Sequence, residues 1–375
     1  MSMQEISYRE NIAVSRECKE AYIRGIKNLI ENREQAAEAL RDNYCKDIFF
    51  HQEKYREKLK AMLGWPLTEK QNSSVPKVTI EMLSKDKPCT IYRITLEVLE
   101  YFSVTGLLFQ KDDRKRPLVI AQHGGEGTPE MVGNLYGATY NYNHMIERML
   151  QYDVNVFAPQ LLLWGQTHDV VYDRKIIDAQ LKRVGSSITA LEVYGLTRVL
   201  DYFETQDYVS SFGMIGLSYG GFYTLFTAAV DTRIKAAISC SFFNVRNEYA
   251  WSDWTWFRSA EMFSDAEVAC LVYPRRLCIE VGTRDEIFDI ESARKELGRL
   301  EKVCNAVDKE WLEIIEFDGT HEFCLEDAPL EKLSLRLREA TNDRGQHIDM
   351  RLISERAAYF GLSDEPALFL GSPWN

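Results

Sequence analysis

The sequence lacks any unbroken run of 18 apolar residues, so no membrane-spanning segment is expected. Its first residues, MSMQEISYRE, carry neither a basic patch nor an apolar core, so no secretory signal is expected there. Positive charge is in deficit. The 45 Lys and Arg face 57 Asp and Glu, a formal net charge of −12, which argues against a nucleic-acid or anionic-membrane surface as partner. No C-x-x-C pair occurs among the eight cysteines, and no cluster of metal-ligating residues, internal repeat or low-complexity tract is visible. An even cysteine count is compatible with disulfides. Without a secretory signal, free thiols in a reducing cytoplasm are the better reading. What is present is 375 residues that are 45% hydrophobic, enough for one large α/β domain and an accessory segment.

The most informative stretch is FGMIGLSYGG, Phe212–Gly221. It contains G-x-S-x-G, with Ser218 at the centre and glycines at Gly216, Gly220 and Gly221. Met214 and Ile215 supply the end of a strand, and YTLFTAAV supplies a helix over Phe222–Val230. That context predicts a sharp strand-to-helix turn with the Ser218 hydroxyl exposed at its apex. A Cβ at the flanking positions would crowd so tight a turn. The N-terminus of the following helix would face any negative charge developing there.

A serine hydroxyl needs a base, and the base needs an orienting acid. Downstream, LCIEVGTRDEIF is an apolar strand breaking at Gly282, with Asp285 just past its end. Further on, WLEIIEFDGTHEF is another strand, ending at Asp318-Gly319, with His321 in the loop. Asp289 and Glu280 rank behind Asp285 as the acid, the first lying later in the loop and the second inside the strand. Upstream, PLVIAQHGGEG reads as a buried strand over Leu118–Ala121 emptying into His123-Gly124-Gly125-Glu126-Gly127. Backbone N–H groups of such a glycine loop, from Gly124 or Gly125, would join the N–H of Tyr219 as an oxyanion hole. His123 precedes the nucleophile and reads as a loop-shaping residue rather than the base, with substrate contact by it and by Glu126 left open.

Along the chain, residues 1–77 form a helical segment, with Ile23, Ile26, Leu29 and Ile30 at helical spacing and breaks at Gly64 and Pro66. His51 in this segment reads as a solvated or capping residue. TIYRITLEVLEYFSVTGLLFQ reads as two strands of a hairpin or meander. A helix over Tyr140–Gln151, a strand over Val154–Ala158 and a helix over Ser186–Thr205 follow. The loop after the Val154 strand places Trp164, Gly165, Gln166 and His168 near the ligand-binding edge of a parallel sheet. Residues 244–272 interrupt the pattern as a small cap insertion whose Trp251 and Trp254 are candidates to stack on substrate, with plain core packing as the alternative. Residues 78–340 make the catalytic domain, and 341–375 a tail without assignable structure.

GLSYGG, GTRDEIF, GTHEF and QHGGEG together resemble the α/β-hydrolase superfamily, and within it the acetyl-xylan-esterase and dienelactone-hydrolase-like bacterial esterases. The resemblance covers roughly residues 90–340. It implies a mostly parallel twisted sheet flanked by helices and a Ser218–His321–Asp285 triad. It also implies a carboxylic ester hydrolase working through an acyl-enzyme, on an acetylated carbohydrate or another small ester, with no cofactor and no metal. The HG loop departs from the longer HGGG form. A carbon–carbon bond hydrolase, a prolyl-oligopeptidase-like peptidase and a non-catalytic binding protein with the same fold remain alternatives, and a homo-oligomer is left open.

Overall fold

The structure is a computed structural model and describes residues 9–69, 74–85, 88–135, 140–162, 170–249 and 251–339. Trp164, Gly165, Gln166, His168 and the tail 341–375 lie outside the described residues. Two helices come first, α1 (Ile12–Phe50) and α2 (Gln52–Leu63). The Asn11 side chain caps α1 by accepting from the amides of Ala13 and Val14. Ile23, Ile26, Leu29 and Ile30 do lie on this helix at the expected spacing, but all four are exposed. Burial begins only at Ala37, Arg41, Cys45, Ile48 and Phe49. There Arg41 is enclosed by carboxylates, with Nε 2.7 Å from Glu267 and Nη2 2.5 Å from Glu296.

The sheet begins with an antiparallel meander of β1 (Lys77–Lys85), β2 (Thr90–Leu99) and β3 (Phe102–Gln110). The two strands expected over TIYRITLEVLEYFSVTGLLFQ are β2 and β3, and β1 stands before them. Strand β1 is an edge strand whose Val78, Ile80 and Met82 are exposed, so its alternation marks no buried face. Then come β4 (Arg116–Gln122), β5 (Asn155–Pro159), β6 (Val209–Leu217), β7 (Ile234–Cys240), β8 (Arg276–Gly282) and β9 (Leu312–Phe317). The strand order is β1-β2-β3-β5-β4-β6-β7-β8-β9, antiparallel up to the β3–β5 pair and parallel from β5 to β9.

Strand β4 shows why this sheet is covered on both faces. Leu118 and Ile120 enter one buried cluster while Val119 and Ala121 enter the other. On the first face lie α6 (Ile188–Glu204), α7 (Tyr219–Val230), α8 (Asp265–Cys270) and α9 (Ile290–Cys304), with α2 and the end of α1. On the second lie α3 (Pro129–Val132), α4 (Met145–Leu150) and α10 (Ala328–Arg338). Helix α5 (Arg174–Arg183) precedes α6 and is capped by Asp173. The helix expected over Tyr140–Gln151 is divided, because Asn143 and His144 take positive φ of 48° and 55° between a short 3-10 turn and α4.

Within residues 251–272, Phe257 is exposed while other aromatic side chains turn inward. Trp254, Trp256 and Phe263 are buried against the α7 side of the core. Of the eight cysteines, seven are buried and Cys18 is exposed. Among the described residues no helix is long and apolar enough to cross a membrane, and no group of side chains could hold a metal ion.

Candidate active site

Strand β6 ends at Leu217 and α7 starts at Tyr219, so Ser218 alone makes the turn. Its backbone sits at φ 60° and ψ −123°, a conformation costing about 1–3 kcal/mol that only surrounding contacts can maintain. Those contacts are backbone on backbone. A Cβ at Gly216 would lie 2.3 Å from the Gly220 carbonyl oxygen, and one at Gly220 would lie 2.1 Å from that of Gln122. The Ser218 amide donates to Cys240 O at 2.9 Å, fixing the turn to β7. The serine is nine-tenths covered, and the parallel strands deliver it to their C-terminal edge.

The same edge carries the other two residues. Asp285 follows the end of β8, and His321 follows β9. Asp285 Oδ1 accepts from the amides of Ile287 (2.8 Å) and Phe288 (3.0 Å), and Oδ2 faces His321 Nδ1 at 2.9 Å. A carboxylate only accepts, so Nδ1 carries the proton and Nε2 keeps its lone pair. The His321 loop is clamped from two sides. Asn141 donates to His321 O at 3.0 Å, and Ser241 Oγ donates to Glu322 O at 3.0 Å. The Cys240 thiol also donates to Glu322 O, so the residue bonded to the Ser218 amide touches the His321 loop as well.

Among the described hydrogen bonds, none joins Ser218 Oγ to the imidazole. Such bonds are commonly loose without substrate and tighten when it binds. The lower-ranked acids are otherwise occupied. Asp289 is exposed and caps α9 through the Glu291 amide. Glu280 is buried within β8, where desolvation pushes its carboxyl up to about 8.

The glycine loop after β4 lies directly on the nucleophile turn. A Cβ at Gly124 would sit 3.2 Å from the Ser218 Cβ. The Gly124 amide, however, is engaged, donating to the hydroxyl of buried Tyr142 at 3.0 Å. His123 is fully buried, and burial lowers its pKa to about 4, so the ring is neutral. Its Nε2 accepts from the Leu161 amide at 3.2 Å and its Nδ1 donates to Gly124 O at 2.8 Å. This histidine therefore stitches the glycine loop to the end of β5 and has no face for substrate, which corrects the open substrate role. Glu126 is half-buried at φ 59°, with its pKa raised by desolvation.

The two tryptophans part company. Trp254 is fully buried, stacked on Phe222 and Phe288 at 5.5 and 5.6 Å, which corrects its candidacy as a stacking surface. Trp251 is half-buried and stacks on Tyr219 at 6.2 Å. Phe288 reaches the imidazole, with ring centroids 5.6 Å apart. The sequence reading passed over Tyr142, Asn141 and Phe288, whose roles depend on contacts between distant segments. It also passed over a buried group built from Arg174, Asp253 and Glu192. Only the last had a local signal, as the one charge in the first half of α6.

No family model and no curated protein sequence matches the chain. Solved structures do. One is a candidate acetyl xylan esterase from Bacteroides fragilis, at TM-score 0.56 and 14% identity, over 84% of this chain and 88% of that one. A methylesterase gives 0.54 and 17%, over 88% of this chain and 68% of its own. A glucuronoyl esterase from Solibacter usitatus gives 0.52 and 14%, over 76% and 91%. With the strand order, the nucleophile turn and this likeness in place, the fold is that of an α/β-hydrolase.

Proposed function

We propose that the protein is a serine-dependent carboxylic ester hydrolase. The observation that carries the reading is the convergence at one sheet edge of Ser218, held at positive φ on a glycine-lined turn, and a His321–Asp285 pair in which Nδ1 faces the carboxylate at 2.9 Å. His321 takes the Ser218 proton as the oxygen attacks an ester carbonyl. Asp285 fixes the tautomer and stabilises the imidazolium that forms. Two backbone amides receive the oxyanion: Tyr219 at the start of α7, and Gly125, because the Gly124 amide already serves Tyr142. His321 then protonates the leaving alcohol, and water, activated by the same ring, releases the acyl group.

The three similar structures named above are esterases, which supports an ester over an amide or carbon–carbon bond. The half-buried Trp251 and Tyr249 near Phe288 supply flat apolar walls suited to an acetylated sugar or a small aryl ester. Ser218→Ala tests the proposal. It removes one oxygen at the sheet edge and should leave the fold intact while lowering turnover of a short p-nitrophenyl ester by several orders of magnitude, on the order of 10⁴ or more. Undiminished turnover in that variant rules the proposal out.

A further inference from the structure

We propose that Arg174 and Asp253 are a positioning pair that, acting through the Tyr219 side chain, holds the Tyr219 amide on the oxyanion. The inference rests on the ester-hydrolase reading above. The Tyr219 hydroxyl donates to Asp253 Oδ2 at 2.7 Å. Arg174 Nε donates to the same oxygen at 2.8 Å, and its guanidinium lies over the Tyr219 ring, 5.3 Å from the centroid. Arg174 is completely buried, and its remaining donors reach Tyr223 Oη at 2.8 Å, Glu192 Oε2 at 3.3 Å and the carbonyl of Leu162. The Ser252–Trp254 turn that carries Asp253 is itself held, since Thr189 Oγ1 donates to Asp253 O at 3.1 Å and Lys182 reaches Ser252 O. One phenol is thus fixed through α5, α6 and the segment after β5.

The placement bears on chemistry because Tyr219 is the first residue of α7. Its amide belongs to the first turn of α7, whose N–H groups point out of the helix N-terminus. The peptide plane that carries this N–H is set on one side by Ser218 at ψ −123° and on the other by the backbone of Tyr219. The side chain of Tyr219 is therefore the handle by which the rest of the protein holds that plane. An oxyanion donor must lie 2.7–3.1 Å from the developing charge, and a shift of about 1 Å costs on the order of 10² in rate. A fully buried ion pair is a poor source of stability, since apolar replacements of similar volume are often neutral or better. Its cost is reasonable where it fixes a geometry that packing alone leaves loose.

A double-mutant cycle of Tyr219→Phe and Asp253→Asn on p-nitrophenyl acetate tests the pair, with kcat, KM, melting temperature and fluorophosphonate labelling rate recorded for each protein. Each single variant should lower kcat and the labelling rate about tenfold or more, with KM within about twofold, because the lost interaction acts in the transition state. The double variant should be no slower than Asp253→Asn by more than about twofold, since both changes break one connection. Arg174→Lys should retain more activity than Arg174→Ala. Unchanged kcat and labelling in Tyr219→Phe, raised KM at constant kcat, or multiplicative losses in the double variant would each overturn the pair. If Asp253→Asn does not fold, Tyr219→Phe decides alone. A native protein that neither labels at Ser218 nor shows Ser218-dependent turnover removes the hydrolase reading and this inference together. Normal labelling in both native and variant proteins removes only this inference.

Discussion

Asp285→Asn probes the site most sharply, because the structure dictates which way the new amide must face. In the native arrangement Oδ1 receives two backbone N–H groups, from Ile287 and Phe288, and Oδ2 receives the imidazole. An asparagine has one accepting end and one donating end. The two backbone donors claim the oxygen, so the amide nitrogen must face His321. Nδ1 then has to accept, the ring proton moves to Nε2, and no lone pair remains for the Ser218 proton. The expected loss is about 10⁴ in kcat, or about 5 kcal/mol of barrier. Volume and both backbone bonds are conserved, so the melting temperature should barely move.

Steady-state hydrolysis of p-nitrophenyl acetate beside a thermal melt measures both quantities. Asp289→Asn is the matched control. It keeps an accepting oxygen at the α9 cap, where asparagine serves as well as aspartate, and should stay within about twofold of native activity. A kcat for Asp285→Asn within tenfold of native would refute the reasoning, as would equal losses in the two variants.

Two further outcomes follow from burial and backbone contact. Gly220→Ala places a methyl 2.1 Å from one backbone carbonyl oxygen and 2.8 Å from another, so no side chain can yield and soluble yield should collapse. Gly298→Ala, inside α9 with nothing within 4 Å of the added carbon, should instead raise stability by about 0.5–1 kcal/mol, and a pair of denaturant titrations separates the two. Glu280, with its folded pKa raised from 4.5 to about 8, keeps its proton in the native state over a range where the unfolded chain has released it. Its contribution to stability is fully present below about 4.5 and is lost as pH rises through about 8. Glu280→Gln removes that titration, so its melting temperature relative to native should climb between pH 5 and pH 8, and a constant difference would count against it.

The nucleophile turn was legible because its requirements are local. Gly216 and Gly220 are where the chain meets other backbone, and that demand is written in five consecutive positions centred on Ser218. Asp285 and His321 were legible because parallel strands deposit their following loops at one edge, which chain order alone can place. The engagement of the Gly124 amide was not legible. Its partner Tyr142 is brought in by a left-handed pair of residues, Asn143 and His144, that no periodicity announces. Trp251 and Trp254 are three positions apart with the same side chain, yet one is half-exposed and the other fully buried. Composition cannot choose between them, because the choice belongs to what packs above. The apolar spacing of Ile23 to Ile30 specified a helix correctly, but helical spacing says nothing about whether a partner surface lies beneath it.

Arg41 gives the leading helix a standing that its exposed first half disguises. Its guanidinium is the counter-charge for two carboxylates, Glu267 and Glu296, that belong to the hydrolase body and have almost no access to water. A shortened chain that starts beyond α1 would keep every residue of the nucleophile edge and still lose both the counter-charge of these two acids and the helix that packs over them. The smallest autonomous unit of this molecule is therefore set by electrostatics some way from the chemistry, and it reaches back through the very helix that looks most expendable.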